Sequence, residues 1–173
     1  MIPRSPTRQS AEPGEHAVDA GRVLNLLEEV EGEMAALYDW LARTFATADA
    51  QVTAFFAKMA RDELHHRDLV RFQNQLVSKS RHSFPPVPID VNGIAAHVKR
   101  VRKLRDNYPP ASVGLALALA LELEESPVES HYRHAIAQAS PGLARLIASL
   151  NKADEHHADH LRQFMQQRGL TVG

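Results

Sequence analysis

Two stretches of this sequence repeat one another, and the repeat constrains what the chain can fold into. Phe55-Phe56-Ala57-Lys58-Met59-Ala60-Arg61-Asp62-Glu63-Leu64-His65-His66 falls in step with Leu146-Ile147-Ala148-Ser149-Leu150-Asn151-Lys152-Ala153-Asp154-Glu155-His156-His157. Each carries two adjacent apolar residues, a third three positions later, an acid and a His-His pair. Apolar residues three and four apart mark one face of an α-helix. An acid followed three positions later by a histidine puts both on that face, one turn apart. A unit of this kind used twice points to two helices that meet through equivalent faces.

Four long segments show this helical spacing. They run from about Ala20 to Ala46, Asp49 to Lys79, Ala111 to Ala139 and Pro141 to Arg168. Asp49 is the expected N-cap of the second, and Ser140 with Pro141 opens the fourth. Short links within each pair predict antiparallel neighbours. Between the pairs lies a crossover, about 80–110, opened by Phe84-Pro85-Pro86-Val87-Pro88 and closed by Pro109-Pro110. A short basic helix, about Gly93–Arg105, is expected inside it. Residues 1–18 have no periodicity and read as a flexible tail, leaving one domain over 19–173. No strand-type alternation of useful length occurs. The fold class expected is all-α: two antiparallel hairpins joined by a long crossover.

Rotation at 100° per residue tests which acids face the core. Glu31 falls about 30° from the centre of the stripe Leu24, Leu27, Met34, Tyr38, Leu41 and Phe45. Glu63 and His66 lie within the stripe of the second helix, on either side of its centre. In the third helix the stripe is Leu121, Val128, Tyr132, Ile136 and Ala139. Glu125 lies about 30° from that centre, while Glu122, Glu124 and Glu129 are roughly 70–90° away. Asp154 and His157 fall inside the stripe of the fourth, and Glu155 points away. Four acids converging in an apolar core would repel and resist ionisation. Two divalent cations relieve both problems, and carboxylates with a few imidazoles suit iron or manganese.

Bulk composition excludes other chemistry. With no Cys among 173 residues there is no disulfide, thiolate zinc site or iron–sulfur cluster. A formal net charge of -1 asks for neither nucleic acid nor a membrane surface. The apolar run Val113–Leu123 is too short to span a bilayer, and no signal-type core opens the chain. A cytoplasmic location is the expectation.

These residues resemble the ferritin-like di-iron carboxylate superfamily, in particular the helical bundle of rubrerythrins without the rubredoxin module. The family places one Glu on each of two helices and Glu-x-x-His on each of the other two. Here that pattern falls on Glu31, on Glu63 with His66, on Glu125, and on Asp154 with His157, across about Ala20–Arg168. Glu122 stands three residues before Glu125 as a second, exchangeable ligand. Asp154 departs from the family's Glu and is one methylene shorter. The equally spaced pairs Glu31…Tyr38 and Glu125…Tyr132 match the family's buried tyrosines beside the metals. The resemblance implies a ferritin-like bundle holding two iron ions (manganese is the other metal that suits). It also implies peroxide reduction or oxidation of Fe(II) by dioxygen.

Without Cys, such a protein needs an external electron donor. Iron storage and a metal-free helical interaction module are the competing classes. Pro127 inside the third helix predicts a kink. His65, His156 and His160 point away from the stripes. The run His97–Arg105 is basic and amphipathic, and reads as a solvated helix covering one side of the bundle. Trp40 lies opposite its helix's stripe. It marks either a subunit contact in a homodimer or larger homo-oligomer, or a position under the crossover.

Overall fold

The computed structural model describes residues 16–79, 84–106, 109–126 and 141–170, with side chains at 16, 143 and 146–155 outside the description. Among these residues the elements are β1 (His16–Val18), α1 (Ala20–Thr44), α2 (Ala50–Ser78), β2 (Val87–Ile89), α3 (Val91–Asp106), α4 (Val113–Glu124) and α5 (Pro141–Gln167). The architecture is an all-α helical bundle with a two-stranded ribbon at its edge.

Helix starts follow local chemistry. Asp19 accepts from the backbone N–H groups of Gly21 (2.9 Å) and Arg22 (3.3 Å). Asp49 does the same for Gln51 (3.1 Å) and Val52 (3.0 Å), and Ser112 Oγ for Leu115 (3.2 Å). These bonds satisfy donors that a helix leaves open in its first turn. The α5 helix ends at Gln167 and is closed by Gly169, whose φ of 67° suits glycine, with the Leu170 N–H returning to Met165 O at 2.9 Å.

α1 and α2 pack antiparallel. Asn25 meets Asn74, Glu28 meets Arg71 at 2.7 Å and Glu31 meets His66 at 3.8 Å, so residue numbers fall on one helix as they rise on the other. The α2 residues in the seam are Val52, Phe56, Met59, Glu63, His66, Val70, Gln73 and Val77, all buried. Their spacing alternates four and three, the heptad rhythm of helices packed side by side. α1 answers with Ala20, Leu24, Leu27, Met34, Tyr38, Leu41 and Phe45, and Glu31 takes the step between Leu27 and Met34. α3 packs on α1, α4 on α5, and α5 also on α2. Phe55 stacks on Phe164 with centroids 4.2 Å apart, and Arg168 reaches from the end of α5 to the cap Asp49, so that end of the bundle is closed.

α3 covers one flank of α1. Ile94, His97, Val98 and Val101 are buried. On its outer side Arg102 spans Glu29 (2.8 Å) and Glu33 (2.9 Å), and Arg105 meets Glu33 at 3.0 Å. The basic residues of this helix thus neutralise acids of α1.

Several expectations are corrected. His16–Val18, read as tail, pairs antiparallel with Val87–Ile89 and buries Val18, Val87 and Ile89. Two three-residue strands, one with a central Pro88, are too short to show alternation. The first helix stops at Thr44 instead of Ala46, the next residues forming a turn. The crossover helix is slightly longer than expected. The third helix is described only as Val113–Glu124, with Glu125 as its C-cap. Pro127, Tyr132 and Ser140 lie outside the described residues. Among the described residues no helix is long and apolar enough to cross a membrane.

Candidate metal centre

Four helices deliver polar groups to one buried point. From α2, Glu63 and His66 occupy successive seam positions that an all-apolar helix would fill with Leu or Met, and both are under 5 % exposed. From α1, Glu31 arrives with a side chain 12 % exposed. From α5, His157 follows the same logic, since it precedes the buried Leu161 and Met165 by one and two turns. From the last turn of α4 comes Glu124, whose side chain is 3 % exposed. Glu124 continues the buried row Leu117, Ala120, Leu121.

Glu63 is the shared group. Its Oε2 lies 3.2 Å from His66 Nδ1 and its Oε1 lies 3.0 Å from His157 Nδ1. Around this axis the site divides into two halves. Glu31 Oε2 is 3.8 Å from His66 Nδ1, and Glu124 Oε1 is 3.7 Å from His157 Nδ1. The two imidazoles stack with centroids 5.2 Å apart and planes 27° apart. The Tyr38 hydroxyl, fully buried, donates to Glu124 Oε1. On the far side of the His157 ring, Nε2 is 3.9 Å from Asp62 Oδ2, which also pairs with Lys58 at 2.6 Å. That contact is electrostatic, being too long for a hydrogen bond.

The electrostatics favour a cation. Burial is the largest influence on Glu63 and works to raise its pKa. The attraction of His157 and His66, with a contact from Glu31, outweighs burial and lowers the carboxyl from 4.5 to about 2. Glu63 is therefore an anion in the core at neutral pH. His157 Nδ1 is buried and near two carboxylates, yet none lies in the direction of a hydrogen bond. A buried ring nitrogen left in this way needs a partner. Glu63, His66 and His157 each offer a donor atom, all within 4.8 Å of one another and all buried. A buried Glu/His cluster capable of coordinating a metal ion is thus present, and the donor set fits a divalent cation.

The structure brings together Glu31, Glu63, His66, His157 and Tyr38. It does not bring in Glu122 or Glu125. Glu122 faces outward and pairs with Arg100, and Glu125 faces outward and meets Arg162 at 2.6 Å. The inward acid of this helix is Glu124, which the rotation test had placed well off the core. That stripe runs from Leu121 through Val128, Tyr132, Ile136 and Ala139, whereas the described helix ends at Glu124 and its buried row is Leu117, Ala120 and Leu121. The spacing of Glu124 from Leu117, Ala120 and Leu121 is the signal that would have found it. Asp154 lies on α5 one turn before His157, but its side chain is outside the described set, as is Tyr132. His65 and His156 are exposed and His160 is half-buried. No protein-family model, curated protein or solved structure matches the chain, so the reading of this centre rests on its own geometry.

Proposed function

We propose that this is a metal-binding helical protein whose centre holds two iron or manganese ions, in the manner of the ferritin-like di-iron carboxylate proteins its sequence resembles. The observation that carries the reading is Glu63, buried, anionic and shared between His66 and His157. A carboxylate facing two imidazoles, each with a further Glu on its own side, is the donor set expected of two adjacent cations. His66 with Glu31 would hold one ion, His157 with Glu124 the other, and Glu63 would be shared between the two halves. Asp154 precedes His157 by one turn and is the remaining candidate ligand.

Bound iron would supply one-electron redox chemistry toward peroxide or dioxygen, which the protein itself cannot provide. The chain's own residues do the rest. Glu63, His66 and His157 keep bulk water from the centre by their burial. Tyr38 donates to Glu124 Oε1, the same oxygen that lies toward His157, and so orients that carboxylate in the centre. With no Cys in the chain, electrons for repeated turnover come from an external donor.

The test is rapid mixing of anaerobically loaded, reduced protein with peroxide, then separately with dioxygen, without any donor. One oxidation per centre followed by arrest is expected. Oxidation by neither removes the redox reading and leaves metal binding alone. Sustained loss of peroxide without a donor also overturns it, in favour of a dismutating dimanganese centre.

A further inference from the structure

A cavity of about 220 Å³ lies between α1, α4 and the end of the crossover. Its inner wall is Leu37, Leu41, Ala116, Ala120 and Leu123, each 3 % exposed or less. Its mouth is framed by Trp40, Leu104, Pro109, Pro110, Leu115 and Leu119. Among the described residues every lining side chain is aliphatic except that of Trp40, at the mouth, whose indole carries an N–H. Natural cores are packed to crystal density and seldom keep a void much larger than a water molecule. This one is kept open by small side chains. Ala116 and Ala120 sit one turn apart on α4, where leucine at either would fill much of the space, and Ala111 stands at the rim.

We propose that this cavity is a binding site for a small, uncharged apolar molecule, about the size of a monocyclic aromatic or a six- to eight-carbon chain. Three observations set that class. Among the described lining side chains only Trp40, at the mouth, carries a hydrogen-bonding group, its indole N–H, so a polar occupant would leave its inward groups unpaired. An apolar cavity stays dry, and one of about 150 Å³ already suffices to hold benzene. The volume is enclosed on the inner side by buried residues of two helices, which leaves no room for a partner helix or strand. The inner wall also adjoins the carboxylate–histidine centre along the chain. Leu37 and Leu41 flank Tyr38, and Leu123 is the neighbour of Glu124. An occupant would rest against the helical turns that carry those two residues. The site is formed by the protein alone and does not depend on the metal reading.

Trp40, at the mouth, is the chain's single tryptophan and reports on this cavity directly. The experiment titrates bromobenzene into the metal-free full-length protein while tryptophan emission is followed, the bromine acting as a heavy-atom quencher. Saturable quenching is expected in the wild type. Ala120→Phe, which fills the inner end, should abolish the saturable component. Ala111→Phe, a change at the exposed rim with little consequence for folding, should weaken it at least several-fold. Far-ultraviolet circular dichroism checks that each variant is folded, and Ala111→Phe decides the matter if Ala120→Phe is not. Quenching that rises linearly and equally in wild type and Ala111→Phe is collisional and overturns the proposal. Emission already blue-shifted and unquenchable, in a manner that depends on protein concentration, also overturns it, because the mouth would then be covered by a second copy of the chain.

Discussion

Glu63→Gln in the metal-free protein isolates the charge at the heart of the centre while keeping the side chain's shape. The carboxyl has its pKa lowered from 4.5 to about 2, so the folded state holds the anion more strongly than the unfolded chain does. A group depressed in this way stabilises the fold above its unfolded pKa, and the contribution is lost as pH falls toward the folded value. At about 1.4 kcal/mol per tenfold change in proton affinity, the full contribution is about 3 kcal/mol at pH 7. For a domain of this size that corresponds to roughly 6–12 °C in Tm. Urea unfolding of both proteins at pH 7, 5 and 3.5 measures it. The wild-type advantage should fall by about 1 kcal/mol between pH 5 and pH 3.5, as protons begin to compete for the carboxylate. An advantage that stays constant from pH 5 to pH 3.5, or that grows over that range, would refute the reasoning. Glu63 would then not be an anion held by His66 and His157.

The remaining predictions separate the inward acid of α4 from its neighbours and weigh the packing. Glu124→Gln should weaken metal binding at least tenfold in a calorimetric titration, whereas Glu125→Gln and Glu122→Gln should leave it unchanged. As exposed ion pairs with Arg162 and Arg100, those two changes should cost under about 1 kcal/mol each in urea unfolding. Tyr38→Phe removes the donor to Glu124 and should destabilise the metal-free fold by about 2 kcal/mol, the range for a hydrogen bond to a charged group. Phe56→Ala empties a fully buried position between Tyr38 and Phe55 and should cost about 3–5 kcal/mol by the same method.

The parts of the fold legible from sequence are those set by long amphipathic helices. Glu63, His66 and His157 stand where rotation at 100° per residue puts them, because α2 and α5 carry charged outer faces that define their inner ones. Asp49 was legible as a cap for the same local reason, since its side chain reaches only its own next turn. The third helix resisted this treatment. Val113–Leu121 is apolar on every side, so no polar face fixes its phase, and most of the stripe rests on residues beyond Pro127. With α4 ending at Glu124, that stripe turned Glu125 inward in place of Glu124. The pairing of Val18 with Val87 was invisible because it joins residues far apart through only three rungs. Trp40 read equally as a subunit contact or as a neighbour of the crossover. Its place beside Leu104 and Pro110 answers to the second description and requires the folded chain to see.

Metal content tests the central proposal most directly. Purified protein is stripped, reloaded anaerobically with Fe(II) or Mn(II), freed of excess ion and assayed for metal per chain, alongside Glu63→Ala and His66→Ala. The expected result is about two ions per chain in the wild type, with both variants losing one ion and binding the other more weakly. A single ion per chain would contradict the two-metal centre, leaving one cation among Glu63, His66 and His157. Full stoichiometry in both variants, or no metal in any of the three proteins, would contradict the assignment of these residues as ligands.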